Sequence, residues 1–372
     1  MGAAAPPRLL AVETISFARG IPAPECLAVA ELAECAKAAL ERDGAVALSY
    51  GSTLGYAPLR EWLGDRHGVE AGRVVITNGS LQAFHFVLDV LGGSGRPVLV
   101  ERPTYDRPRG ILAAAGIETA EIALDDDGLD VAELERVLAG REPAFLYTIP
   151  TFQNPTGSTM SAERRRRLAE LVRERRLPVL EDDPYGLVRF DGAALPSLFE
   201  LEGGVDVMYS SSFSKTIAPG LRVGYAIVPE ALAGRLEPLV ASTYITPALV
   251  SQATVYEFLR RGLFEANLER VRGLLRERRD AMLSALDREL AGHARWNRPE
   301  GGYFLWLELP DGVDASELLP RATDGGVTYV PGADFGGAAA SARLAFSFVS
   351  PAEIDEGVRR LAALVATAPA PV

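Results

Sequence analysis

Ser210-Ser211-Ser212-Phe213-Ser214-Lys215-Thr216-Ile217-Ala218-Pro219-Gly220-Leu221-Arg222-Val223-Gly224-Tyr225 joins two mostly apolar runs, residues 205–209 and 223–228. Each run reads as a buried strand, so Lys215 sits on a turn between two core strands. Burying an ammonium is costly and lowers its pKa, and an amine tuned that way can form a Schiff base. Arg222 offers a fixed, always-charged fork suited to a phosphate or a carboxylate. With it, the hydroxyls of Ser211, Ser212 and Ser214 make a phosphate cup; taken alone, the serines read better as a solvated surface loop.

Outward from this turn, the chain alternates short apolar strands with helices. Residues 74–77 are a strand, Asn78-Gly79-Ser80 a turn and residues 81–91 a helix. A strand ending at a helix N-terminus offers free N–H groups and a favourable dipole to an anion, although a Gly-Ser turn can also be a plain cap. Further strands at 97–101, 144–149 and 177–181 end in Arg102-Pro103-Thr104-Tyr105-Asp106-Arg107, Pro150-Thr151-Phe152-Gln153-Asn154-Pro155-Thr156-Gly157 and Asp182-Asp183-Pro184-Tyr185. This alternation predicts an α/β fold, a mostly parallel sheet covered by helices, with ligands beyond the strand ends. The helix at 161–176 carries four consecutive arginines, read as a solvated face.

Before the sheet, residues 15–24 are irregular and 27–42 are helical, with Leu27, Ala30, Leu32 and Leu40 as core positions; a Gly- and Tyr-rich loop, 49–60, follows. After residue 247 come amphipathic helices at 251–261 and 263–290, strands at 302–309, 327–330 and 343–348, and a closing helix from 351 to about 366. The expected division is a large domain at 45–270 and a smaller α+β domain at 271–372, completed by the N-terminal segment 1–44.

The chain has 372 residues, 48% hydrophobic and 24% charged, with a net charge of −12. That acidity argues against a nucleic-acid partner. Cys26 and Cys35 alone make neither a disulfide framework nor a metal site. The Pro/Ala-rich leader from Met1 to Pro7 lacks the pattern of a secretory signal and no run is long enough to span a bilayer, so a cytoplasmic location is expected.

The pattern Ser-x-Ser-Lys-x-x-x-Pro-Gly-x-Arg-x-Gly resembles the cofactor-lysine segment of class I/II aminotransferases, fold-type-I enzymes that use pyridoxal 5'-phosphate. The resemblance runs from about residue 15 to 349 and is nearest to the 2-aminoadipate/kynurenine aminotransferase and MocR-like branch. It implies that Lys215 holds the cofactor as an aldimine and then moves the proton between the substrate Cα and the cofactor. Asp182, rather than Asp183, keeps the pyridine nitrogen protonated, while Tyr185 and Asn154 serve the phenolic oxygen and Tyr105 stacks on the ring. Ser80, the Leu81 backbone N–H, Ser212, Ser214 and Arg222 hold the phosphate. Leu81 stands where many relatives have Gln. Tyr50 resembles the tyrosine that reaches the cofactor phosphate of a neighbouring subunit, which implies a homodimer with shared sites. Arg343 matches the arginine that grips the substrate carboxylate, and Arg19 and Gly20 lie in a segment placed over the substrate. On the residues alone, Asn154 is also a turn residue, Tyr105 a core aromatic and Arg343 an exposed strand arginine.

These readings imply transfer of an amino group from an L-amino acid to a 2-oxo acid. The same fold also supports elimination, replacement, cyclisation or oxidation of an amino acid. A ligand-sensing domain of a MocR-type regulator ranks last, because no helix-turn-helix fits ahead of residue 15.

Overall fold

The computed structural model describes residues 14–366; the Ala/Pro-rich leader lies outside the described residues. Eight strands form the main sheet in the order Val74–Thr77, Gly224–Ile227, Val207–Ser212, Val179–Asp182, Phe145–Thr148, Val98–Arg102, Thr119–Asp125 and Gly128–Leu129. From Val207–Ser212 to Thr119–Asp125 all neighbours are parallel. Gly224–Ile227 is antiparallel to both of its neighbours, and Gly128–Leu129 to its one. Most of these strands are buried at every position because both faces are covered. Alternate residues feed two cores: Val74, Ile76, Leu99, Val179 and Val207 pack on one face, Val75, Val98, Val100, Leu180 and Met208 on the other.

The smaller unit is a four-stranded antiparallel sheet, ordered Arg295–Trp296, Phe304–Glu308, Ser341–Ala345 and Val330–Pro331, with the helices Ala315–Asp324 and Pro351–Val365. The strand expected at 327–330 is split. Val327–Thr328 pairs in parallel with Ile15–Ser16, while Val330–Pro331 joins the four-stranded sheet. The continuous helix Leu263–Glu289 crosses between cores: Phe264 and Leu268 belong to the large one, Val271, Leu275 and Met282 to the small one.

Two expectations are corrected by burial. In the helix Val29–Ala47 the core-facing residues are Cys35, Ala39 and Ala47, whereas Ala30 and Leu40 are exposed and Leu27 and Leu32 only partly covered. Cys35 and Ala39 pack on the large core while Ile15, Phe17 and Cys26 pack on the small one, so the described part of the N-terminal segment, 14–44, contributes to both cores. The arginine run is not one solvated face either. Arg164 pairs with Asp125 and Arg167 with Glu135, but Arg165 is 1% exposed. It lies on the buried stripe of Ala162–Arg175 with Leu168, Ala169 and Val172.

Candidate active site

Lys215 follows the strand Val207–Ser212 on a turn that folds back into Gly224–Ile227. Its Nζ donates to the carbonyl of Gly20 at 2.7 Å and stands 5.0 Å from the ring centre of Tyr303 and 5.8 Å from that of Tyr185. The Tyr303 hydroxyl donates to the Lys215 carbonyl at 3.0 Å, fixing the turn. Burial, then the positive charges of Arg343 and Arg222, push the ammonium down to about 8. A free amine is therefore accessible near neutral pH. The chain has one other lysine, Lys37, 67% exposed and paired with Glu41.

Asp182 ends the strand Val179–Asp182. Tyr147 donates to its Oδ2 at 2.9 Å, while Oδ1 is buried without a hydrogen-bond partner. Burial pushes this carboxyl up to about 7, with Tyr147 and then the Ser80 side chain pulling the other way. Asp183 differs, since Tyr209 donates to one of its oxygens at 3.0 Å and the Gly186 N–H to the other at 2.7 Å. Of the two acids, Asp182 keeps an oxygen for a further donor. Tyr185 is buried between Tyr303 and Phe304, and burial raises its phenol, which stays protonated. Tyr105 precedes the helix Asp106–Ala114, close enough to Asp182 and Arg343 to feel both charges.

The start of the helix Ser80–Leu91 faces Arg222. Gly79 has φ 88°, and a Cβ there would lie 2.6 Å from Arg222 Nη2; a Cβ on Gly224 would lie 2.7 Å from the Gly79 backbone and 2.9 Å from Ser80 N. Both glycines are required by this close approach. The first N–H groups of the helix, Ser80 and Leu81 among them, have no partner within it. Ser212 Oγ donates to Ser214 Oγ at 2.8 Å and also accepts from the Ser214 N–H, so these two hydroxyls stand together. Ser211 does not join them: it donates to the Asp183 carbonyl at 2.7 Å. Arg222 donates to the carbonyls of Asn78 and Pro219 and has no ion pair among the described residues. The result is a cradle of N–H and O–H groups with one unpaired cation, suited to a phosphate.

Arg343, on the strand Ser341–Ala345, is 8% exposed. It donates to Asn154 Oδ1 at 2.9 Å and the Ala18 carbonyl at 3.0 Å, and its Nε has no partner. The guanidinium lies 4.3 Å from the Phe304 ring centre and 4.8 Å from that of Phe335. Among the described residues no carboxylate pairs with it, so a buried cation is left open to an anion. Next in the chain after Ala18, Arg19 is exposed and stacks 5.0 Å from the Phe348 ring centre. Tyr50 is placed apart from all of these: its side chain is 83% exposed.

Sequence reasoning did not single out Tyr147, Tyr303, Phe304 or Phe335 as site residues. Tyr147 offered a signal, a hydroxyl within an apolar strand, because a buried Tyr O–H needs a partner. Tyr303 stood among alternating aromatics that read simply as core.

The fold and this cluster define an aminotransferase. The chain matches the family described as aminotransferase class I and II over residues 16–361, and it belongs to that family. It is a fold-type-I, pyridoxal-phosphate-dependent aminotransferase. More particularly, it is 44% identical over 354 residues to 2-aminoadipate transaminase of Thermus thermophilus, covering 93% of this chain and 89% of that one. The solved structure of alpha-aminoadipate aminotransferase from Thermus thermophilus, complexed with N-(5'-phosphopyridoxyl)-L-leucine, has a TM-score of 0.90 at 42% identity, covering 95% of this chain and 92% of that one. The Pyrococcus horikoshii kynurenine aminotransferase structure has a TM-score of 0.91 at 35% identity, covering 95% and 91%.

The residues present fit pyridoxal phosphate. The orphaned Asp182 Oδ1 suits a protonated ring nitrogen, the glycine-lined cradle suits the phosphate, and the buried amine of Lys215 suits the aldehyde.

Proposed function

We propose that this aminotransferase takes its amino group from a dicarboxylic L-amino acid and passes it to an acceptor of the 2-oxoglutarate type. The observation that carries the proposal is Arg343, a buried guanidinium with an orphaned Nε and no protein carboxylate, one residue's reach from a second unpaired cation on Arg19. A cation bound to the Ala18 carbonyl and another on the next residue match an α-carboxylate and a side-chain carboxylate. The similarity to a protein named 2-aminoadipate transaminase supports the same choice.

Pyridoxal phosphate, when bound, supplies the aldehyde that accepts the amine and the ring that draws electron density from the substrate Cα. Lys215 would hold that aldehyde, and its Nζ, when free, would take the proton from the substrate Cα and hand it to the cofactor carbon across the nitrogen. Its depressed pKa makes it a base at working pH. Asp182, whose buried Oδ1 has no protein partner, would keep the ring nitrogen protonated. Ser80, the Leu81 N–H, Ser212, Ser214 and Arg222 bind the phosphate, and Tyr105 covers the ring. Tyr185 and Asn154 would serve the phenolic oxygen, Asn154 while its Oδ1 accepts from Arg343. Arg343 fixes the carboxylate so that the Cα–H bond points at Lys215.

Tyr50 then belongs to a neighbouring subunit's phosphate site. Its 83% exposure, and the exposed apolar side chains of Val46, Leu48 and Ile245 near it, support a two-fold homodimer. The protein works in the cytoplasm, in amino-acid metabolism: among the described residues no helix is long and apolar enough to cross a membrane, and both cysteines are free.

The test compares Arg19→Ala and Arg343→Ala on L-2-aminoadipate and on a neutral amino acid such as L-leucine. Arg19→Ala should impair only the dicarboxylic donor and Arg343→Ala both. Equal impairment of both donors by Arg19→Ala, or none, would remove the dicarboxylic assignment.

A further inference from the structure

Asn154 stands on a loop, 150–160, that leaves the strand Phe145–Thr148 and enters the helix Ala162–Arg175. The neck of this loop is closed by the Met160 N–H, which donates to the Pro150 carbonyl at 2.8 Å. Arg165 reaches back from the first turn of the helix to the same two residues. Its Nε donates to the Met160 carbonyl at 3.0 Å, and its Nη2 to the Pro150 carbonyl and the Thr151 hydroxyl, both at 2.8 Å. Nη1 donates to the Pro196 carbonyl at 3.1 Å. All four acceptors are neutral, and no carboxylate pairs with Arg165 among the described residues.

A guanidinium buried to 1% exposure without a counter-ion is costly, so its use here needs a reason. The planar fork supplies one, because it spans both sides of the neck at once, as a lysine's single head group does not. Within the loop, Phe152 has a left-handed backbone, φ 49°, and its ring packs where a Cβ on Gly301 would come within 2.2 Å. The loop is thus held in a conformation it would not choose alone. At its far side, Asn154 Oδ1 accepts from Arg343 Nη1 at 2.9 Å.

We propose that Arg165 is a positioning residue for substrate carboxylate recognition: by clamping the loop neck it sets where Asn154 sits, and through Asn154 the direction of the Arg343 fork. This rests on the reading of Arg343 as the carboxylate site. Arg165 itself touches neither substrate nor cofactor.

The experiment is steady-state kinetics of the cofactor-loaded full chain carrying Arg165→Met, Asn154→Ala, both together, and Arg343→Met as the reference. Arg165→Met should raise KM for amino donor and oxo acceptor alike by about tenfold, the value of one weakened charge-assisted hydrogen bond. Cofactor affinity should stay near the parent value, which a general loosening of the fold would not allow, while the cofactor absorbance should shift as it does in Asn154→Ala, because Asn154 also serves the phenolic oxygen. In the Asn154→Ala background the same change should add less than about twofold, since the two act in series. Arg165→Lys should not rescue. Thr151→Val, which removes one acceptor of the four, is the milder variant and should raise KM by about threefold. Parent-like KM in both Arg165→Met and Thr151→Val overturns the proposal, as does full multiplication of the Arg165 and Asn154 effects. Parent-like KM in Arg343→Met instead overturns the carboxylate reading, a separately visible result.

Discussion

Arg343→Met keeps most of the side-chain length and its packing between Phe304 and Phe335 while deleting the charge. The guanidinium spends two donor groups on Asn154 and Ala18 and leaves Nε unpaired, so a substrate carboxylate gains charge-assisted hydrogen bonds at this one position. Such bonds are worth about 1.5–3 kcal/mol, against a ceiling of about 4 kcal/mol for a bare ion pair at 4 Å in a medium of effective dielectric 20. KM for amino and oxo acids should therefore rise about 10- to 150-fold, with the cofactor still bound. Without substrate, the substitution removes a buried cation that no carboxylate compensates, so the variant should melt no lower than the parent. The assay is two-substrate kinetics with thermal melts in the presence and absence of 2-oxoglutarate. The parent should gain stability from the oxo acid and the variant should not. An unchanged KM, or equal stabilisation of both proteins, would refute the reasoning.

Leu48 is 73% exposed beside Tyr50, and Leu48→Asp should split the dimer and weaken cofactor retention together in gel filtration and absorbance; a parent that runs as a fully active monomer would oppose this. His67 packs against Tyr209 and Tyr225, its Nε2 3.0 Å from the Tyr225 hydroxyl, and burial lowers it from 6.5 to about 4. The unfolded chain then binds a proton near pH 6.5 that the folded one refuses until about 4, so stability falls as pH drops through that window, by up to about 3 kcal/mol. Denaturant unfolding at pH 7 and 4.5 should show a smaller acid loss in His67→Gln than in the parent; equal losses would contradict it.

The parallel sheet was legible because its central strands, such as residues 145–147 and 207–209, are unbroken apolar runs leading to polar motifs. Lys215, Asp182 and Arg222 were legible for the same reason, lying at a strand end or on the turn between two strands. The strand Thr119–Asp125, next to the edge of the sheet, was not, since it is half exposed and neither alternates cleanly nor stays apolar. The Gly20 carbonyl at Lys215 and the Tyr147 hydroxyl at Asp182 were hidden by chain distance. Arg165 was readable in principle: it shares the i, i+3, i+4, i+7 stripe with Leu168, Ala169 and Val172, but its charge masked its position. The outer face of Val29–Ala47 misled because Ala30 and Leu40, apolar residues at helical spacing, are exposed.

The central claim is that Lys215 carries the cofactor and gives it up to an amino donor. Borohydride reduction of the loaded protein followed by peptide mass mapping tests it directly, because the only competing side-chain amine is the exposed Lys37. The predicted result is a reduced phosphopyridoxyl group on the Lys215 peptide that disappears when an amino donor is added before reduction, with stoichiometric oxo acid released. Label on Lys37 or the N-terminus, or label on Lys215 that an amino donor does not displace, would contradict the account.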